Sequence, residues 1–197
     1  NPASTIGNPR AANGGQNTSV NQTFVIAVNS VNDAPVLDAT KTPVLVSENQ
    51  GSGAPVGAVG TQISLLVDFA TPSGQLDNVT DVDAGAQLGI AVVGANTTNG
   101  NWFFSTNSGS IWTALGAVAD ANARLLFADN ATFIYFQPNA GFSGTITNAI
   151  TFRSWDRTTG SNGSLLSTAG TTAFSSVTDT ASLTVNVVTI PPVLSNT

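Results

Sequence analysis

The chain contains no cysteine, no methionine and no histidine. The first absence excludes disulfide frameworks, thiolate metal sites and thiol nucleophiles, and the last removes the imidazole that most often serves as general base or metal ligand. Basic residues are nearly as scarce: five Lys and Arg stand against eleven Asp and Glu, for a net charge of −6. Such a balance leaves no basic surface to neutralise a phosphate backbone, so nucleic acid is not an expected partner. No run approaches the roughly 20 apolar residues of a membrane span, and no charged segment followed by an apolar stretch opens the chain, so membrane insertion is not expected. With carboxylates alone left for acid–base work at neutral pH, and no pair of them placed across a cleft by the sequence, the chain does not read as an enzyme.

What is present is Asn, Thr, Ser, Gly and Ala in place of the usual charged surface, with only 8% charged residues in 197. Hydroxyl and amide side chains compete with the helix backbone for hydrogen bonds and favour β-structure. Short alternating segments are predicted as strands near 43–46, 56–59, 63–69, 88–94, 101–105, 110–114, 124–128, 132–136, 145–154 and 180–188, separated by Gly/Asn/Pro turns. The expectation is an all-β, antiparallel β-sandwich.

The two ends of the chain carry the same text. In Gln22-Thr23-Phe24-Val25-Ile26-Ala27-Val28-Asn29, the residues Phe24, Ile26 and Val28 fall on one face, and Ala181-Ser182-Leu183-Thr184-Val185 alternates likewise. At a constant offset of 157, identities run from Ser19/Ser176 and Val20/Val177 through Val28/Val185, Asn29/Asn186 and Val31/Val188 to Pro35/Pro192, Leu37/Leu194 and Thr40/Thr197. A fixed register of this kind is the mark of a long tandem repeat. Residues 1–33 then read as the closing strand of a preceding repeat plus its linker, 34–188 as one domain, and 189–197 as the start of the next linker.

Oxygen ligands gather at turn positions: Asn32-Asp33 in the linker, Glu48-Asn49 after the first strand, Asp81-Val82-Asp83 in a loop, and Asp156 at the end of a long strand. Calcium takes six to eight such oxygens and accepts them from distant loops. Two carboxylates at i, i+2 in an extended loop share a side and repel unless a cation intervenes; the alternative is that they only form Asx turns.

The elements Val31-Asn32-Asp33-Ala34-Pro35-Val36, Ser47-Glu48-Asn49, Thr80-Asp81-Val82-Asp83-Ala84-Gly85 and Phe152-Arg153-Ser154-Trp155-Asp156 occur in the order found in cadherin-like repeats. The chain resembles the cadherin-like calcium-binding tandem repeats of large bacterial adhesins and RTX-type surface proteins. That resemblance implies a cadherin/immunoglobulin-like sandwich, secretion to the cell surface with an export signal outside these residues, and Ca2+ held between successive copies. It further implies that Asn32, Asp33, Asp81 and Asp83 serve the junction at residue 33, while Glu48 and Asp156 serve the one at residue 190. Thr189 and Ile190 replace Asn32 and Asp33 at the second junction, so weaker calcium binding is expected there.

Two other readings stay open. Trp155 alternates with Ser154 and is expected to face outward beside Asp156, where it would serve a carbohydrate-binding module through contacts with surface glycans. The aromatic run Trp102-Phe103-Phe104 and Ile111-Trp112 reads as a hairpin that packs a core or stacks on sugars. The repeated N-terminal strand, carrying Phe24, Ile26 and Val28, could instead insert into a neighbouring subunit of a fibre. Six Asn-x-Ser/Thr sequons, including those at Asn78 and Asn162, are expected by chance in so Asn- and Thr-rich a chain.

Overall fold

A computed structural model describes residues 23, 25–27 and 30–189. The chain divides into two compact units, Asn1–Val31 and Asn32–Thr197. In the first, no strand is assigned at Thr23 or at Val25, Ile26 and Ala27, and Ile26 is exposed. Phe24 and Val28, the other two residues of the expected apolar face, lie outside the described residues.

The second unit is all-β apart from one 3-10 turn at Ile63–Leu65. Its strands are β1 (Val36–Leu37), β2 (Glu48–Asn49), β3 (Thr61–Gln62), β4 (Val79–Thr80), β5 (Gly89–Ala95), β6 (Gly100–Ser105), β7 (Thr113–Ala114), β8 (Ala123–Phe127), β9 (Phe133–Pro138), β10 (Gly144–Trp155), β11 (Leu165–Leu166) and β12 (Asp179–Asn186). They form a six-stranded sheet in the order β11-β8-β5-β10-β12-β2, a four-stranded sheet β3-β9-β6-β7, and the pair β1-β4. Pairing within these sheets is antiparallel except between β12 and β2.

Alternation explains the core. In β12, residues Ala181, Leu183 and Val185 are buried while Thr180, Ser182 and Thr184 are half-buried on the other side, as a period of two requires. Ile90, Val92, Leu126, Phe152, Leu183 and Val185 from the larger sheet share one hydrophobic cluster with Trp102, Phe104, Ile134 and Phe136 from the smaller. The two sheets therefore pack as a β-sandwich. Trp102 faces Phe136 across β6 and β9, with ring centroids 4.8 Å apart, so Trp102 and Phe104 serve as core packing, while Trp112 is half-buried against Tyr135 and Ile111 is exposed.

Four expected strands differ. The segment 56–59 forms no strand; it lies against the β6–β7 hairpin, where Trp112 Nε1 donates to the Gly57 carbonyl at 3.1 Å. Within 63–69 the 3-10 turn buries Ile63, and Leu66 and Val67 follow it into the core; a continuous apolar run carries no period to separate turn from strand. In 43–46 only Val44 makes a bridge, parallel to Ser182. Of 110–114, the pairing residues are Thr113 and Ala114 alone.

The outer face of the larger sheet carries a second cluster, and this corrects the expectation for Trp155. Ala91, Ala123, Leu125, Trp155, Ala173 and Phe174 form it. Trp155 is 0% exposed, packed between Phe127 at 5.4 Å and Phe174 at 6.4 Å, because the segment around Ala173 and Phe174 pairs antiparallel along the edge of β10 and sets Phe174 directly opposite Trp155. Gly89 makes room for it: a Cβ there would stand 2.8 Å from Trp155 Cε3 and 2.7 Å from the Leu126 carbonyl.

Candidate functional site

Strand β10 sets the axis of the domain. Gly144 pairs with Val185 and Phe152 with Asp179, so β12 leaves the domain at the end where β10 begins. Asp156, directly after β10, accepts a hydrogen bond from Asn32 Nδ2 at 2.7 Å. The chain thus enters at one pole and leaves at the other, separated by the length of a 12-residue strand, about 35 Å at the usual rise.

The N-terminal pole collects five of the six expected cation ligands. Asn32 Nδ2 also reaches Thr172 Oγ1 at 3.2 Å. The Asp33 backbone N–H donates to Asp83 Oδ2 at 2.8 Å, and the Asp83 N–H donates to Asp81 Oδ1 at 2.9 Å. These bonds wrap the linker onto the Asp81-Val82-Asp83 loop and orient both carboxylates. Asp81 Oδ2 is sealed from solvent and has no hydrogen-bond partner. A buried carboxylate oxygen without a donor is costly, and Asp81 borders a recess of about 170 Å³ together with Asp83, Thr71 and Phe69. A cation at this place would satisfy it, so the donor set fits an oxygen-loving ion. Among the described residues no three carboxylates converge on one point; the pole offers two at the recess, a hydroxyl at Thr71, and Asp156 one hydrogen bond away through Asn32.

Asp156 therefore sits with Asn32 at the N-terminal pole, not at the C-terminal junction where the resemblance put it. It is 3% exposed, and its Oδ1 accepts from the Thr158 N–H at 2.8 Å and from the Thr158 hydroxyl. Glu48 does lie at the C-terminal pole, opposite Val185 in the β2–β12 pair. Burial pushes its carboxyl up to about 7, and no donor or cation among the described residues offsets that. The Tyr135 hydroxyl is raised in turn, by burial and by the neighbouring Glu48 charge. Ile190, expected to weaken this junction, lies outside the described residues.

Several residues of the pole escaped the sequence reading. Asp68, expected to be an ordinary turn residue, accepts backbone hydrogen bonds from Gln75, Leu76 and Asp77, closing the loop beside the recess. Asn78, 1% exposed, donates to the Leu66 carbonyl at 3.0 Å and accepts from the Asp68 N–H at 3.0 Å. Its sequon is thus a structural bridge. Asn162 likewise ties its loop to β8 and Thr132. Arg157 follows Asp156 in left-handed backbone (φ 66°), its guanidinium carbon 3.3 Å from the centroid of the Phe127 ring. The Asp-x-Thr spacing of Asp156 and Thr158 was a readable turn signal; the stacking of Arg157 had none.

Comparison with family models, with curated proteins and with solved structures yields no match.

Proposed function

We propose that this chain is a structural, calcium-stiffened repeat of a secreted bacterial surface adhesin or filament, of the cadherin-like kind, acting as an extender and not as an enzyme. The observation that carries the reading is the polarity of the domain. Its chain enters at Asn32 and leaves beyond Asn186, at opposite ends of β10. Domains so built extend end to end when repeated, and the offset of 157 residues between the chain's two ends supports such repetition.

The joint is where a cation has work to do. Asp81, Asp83, Asp33 and Asp156 bring like charge to the pole that meets the preceding copy, which costs stability and favours a loose hinge. With Ca2+ bound by Asp81, Asp83 and the Asn32-Asp33 linker, and further oxygens supplied by the preceding copy, the charge is neutralised and the angle between copies is fixed. The carbohydrate-module alternative loses its leading residue with the burial of Trp155.

The test is thermal unfolding of a two-repeat protein with and without millimolar calcium, together with its length from X-ray scattering. A raised Tm with a longer particle is expected, since a ligand at a hundred times its Kd adds about 2.7 kcal/mol. No change in either would return the acids to turn-forming roles and favour fibre assembly by exchange of the N-terminal strand.

A further inference from the structure

The three described arginines have unequal surroundings. Arg124 donates to the carbonyls of Gly163 and Leu115, and Arg153 pairs with Asp120 at 2.8 Å. Arg157 makes no hydrogen bond and no ion pair among the described residues; its Nε is sealed from solvent without a partner, while its terminal nitrogens are not sealed. It lines a recess of about 380 Å³ whose other walls include Asp68, its carboxylate engaged by the backbone N–H groups of Gln75, Leu76 and Asp77, with Phe69, Leu88 and Ala128. Phe69 and Ala86 border both this recess and the one that holds Asp81 and Asp83. A guanidinium braced on an aromatic ring, with no ion pair among the described residues, can receive a planar carboxylate.

The chain's single glutamate, Glu48, is the complementary group. It stands at the C-terminal pole, half-buried, and its carboxylate oxygens are not sealed from an approaching partner. Arg157 and Glu48 thus occupy the two ends of one domain, neither in an ion pair among the described residues, although the Asp129 charge acts on Arg157 from a distance. A contact between unlike ends is heterologous and builds an open row of copies instead of a closed pair.

We propose that the Arg157 recess receives the Glu48 carboxylate of a preceding copy of this domain, so that a charge pair beside the cation site sets the rotation of one copy on the next. The inference rests on the end-to-end reading of the domain, but not on calcium. An acidic polysaccharide offers the same carboxylate chemistry; the neighbouring copy is favoured because Arg157 lies at the pole where the chain enters, beside Asp156 and its bond to Asn32.

The absence of cysteine makes the contact open to disulfide capture in the full chain. Asn49→Cys marks the C-terminal pole and Gln87→Cys the N-terminal recess, with Glu48 and Arg157 intact in both. Mixed under mild oxidation, the two chains are expected to form the mixed disulfide about tenfold faster than either homodisulfide. Arg157→Glu in the Gln87→Cys chain should abolish that excess, and Glu48→Arg in its partner should restore it. Statistical rates throughout, or an excess indifferent to Arg157→Glu, would overturn the proposal. Statistical rates together with retention of wild-type chain, but not Arg157→Glu, on immobilised polygalacturonate would reassign the recess to an acidic glycan. Calcium-dependent Tm is read on the same samples: a calcium shift without capture rejects the docking pair alone, and capture without a shift rejects the calcium joint alone.

Discussion

Asn32 donates its side-chain N–H to Asp156 at 2.7 Å, across 124 positions of sequence. One hydrogen bond thereby joins the segment where the chain enters the domain to the end of its longest strand, and it brings the linker within reach of the Asp81-Val82-Asp83 loop. Asn32→Ala removes the donor and leaves Asp156 Oδ2 short of a partner. A loss of about 1–3 kcal/mol in urea unfolding is expected, with the calcium response reduced because Asp33 is no longer held on Asp83.

Asp81→Asn tests the cation site from the other side. The amide is nearly isosteric and removes one of the repelling charges, so stability in chelator should be unchanged or slightly higher. The calcium-dependent rise in Tm should be lost, since an anionic ligand is gone. Calorimetric titration against wild type checks both arms; a calcium response retained in the variant would remove Asp81 from the site.

Trp155 shows where the sequence stopped being legible. The alternation of β10 puts Trp155 on the face opposite Phe152, and that face was expected to be wet. The structure keeps the alternation and buries Trp155 beside Phe174, whose short segment pairs along the edge of β10, a pairing without period or turn signal. The same limit explains 56–59 and 63–69, where tertiary packing overrides a short apolar run. By contrast β5, β6, β8, β9, β10 and β12 were readable within a residue or two, because their apolar or alternating runs are bounded by turns rich in Gly, Asn or Pro. At the site, the acids of the linker and the 81–83 loop could be found from their spacing, whereas the placing of Asp156 depended on strand direction.

Trp155→Ala should therefore act on stability. Removing a fully buried indole leaves a large cavity against Phe127, Leu125 and Phe174, and a loss of about 3–5 kcal/mol is expected. Gly89→Ala should produce a smaller loss of about 1–3 kcal/mol by forcing a methyl against Trp155 and the Leu126 carbonyl. Chemical denaturation followed by tryptophan fluorescence measures both; full stability in Trp155→Ala would contradict the burial.

Glu48 predicts an unusual pH dependence for so acidic a chain. Burial raises its carboxyl from 4.5 in the unfolded chain to about 7 in the folded one. Between those values the folded state binds more protons than the unfolded state, so stability falls as pH rises. The contribution is intact below about pH 4.5 and lost as pH passes through about 7. Asp179, also raised by burial, adds the same sign. Solvent around the half-buried Glu48 screens the effect, so the slope should be modest. In chelator, urea midpoints taken from pH 4 to 8 should decline for wild type, and Glu48→Gln should flatten that decline as pH approaches 7. If a neighbouring Arg157 supplies the counter-charge, the carboxyl is pulled back down and the decline disappears on association. An identical slope in wild type and Glu48→Gln would show that the carboxyl is already ionised in the isolated domain, and that nothing at this pole awaits a partner.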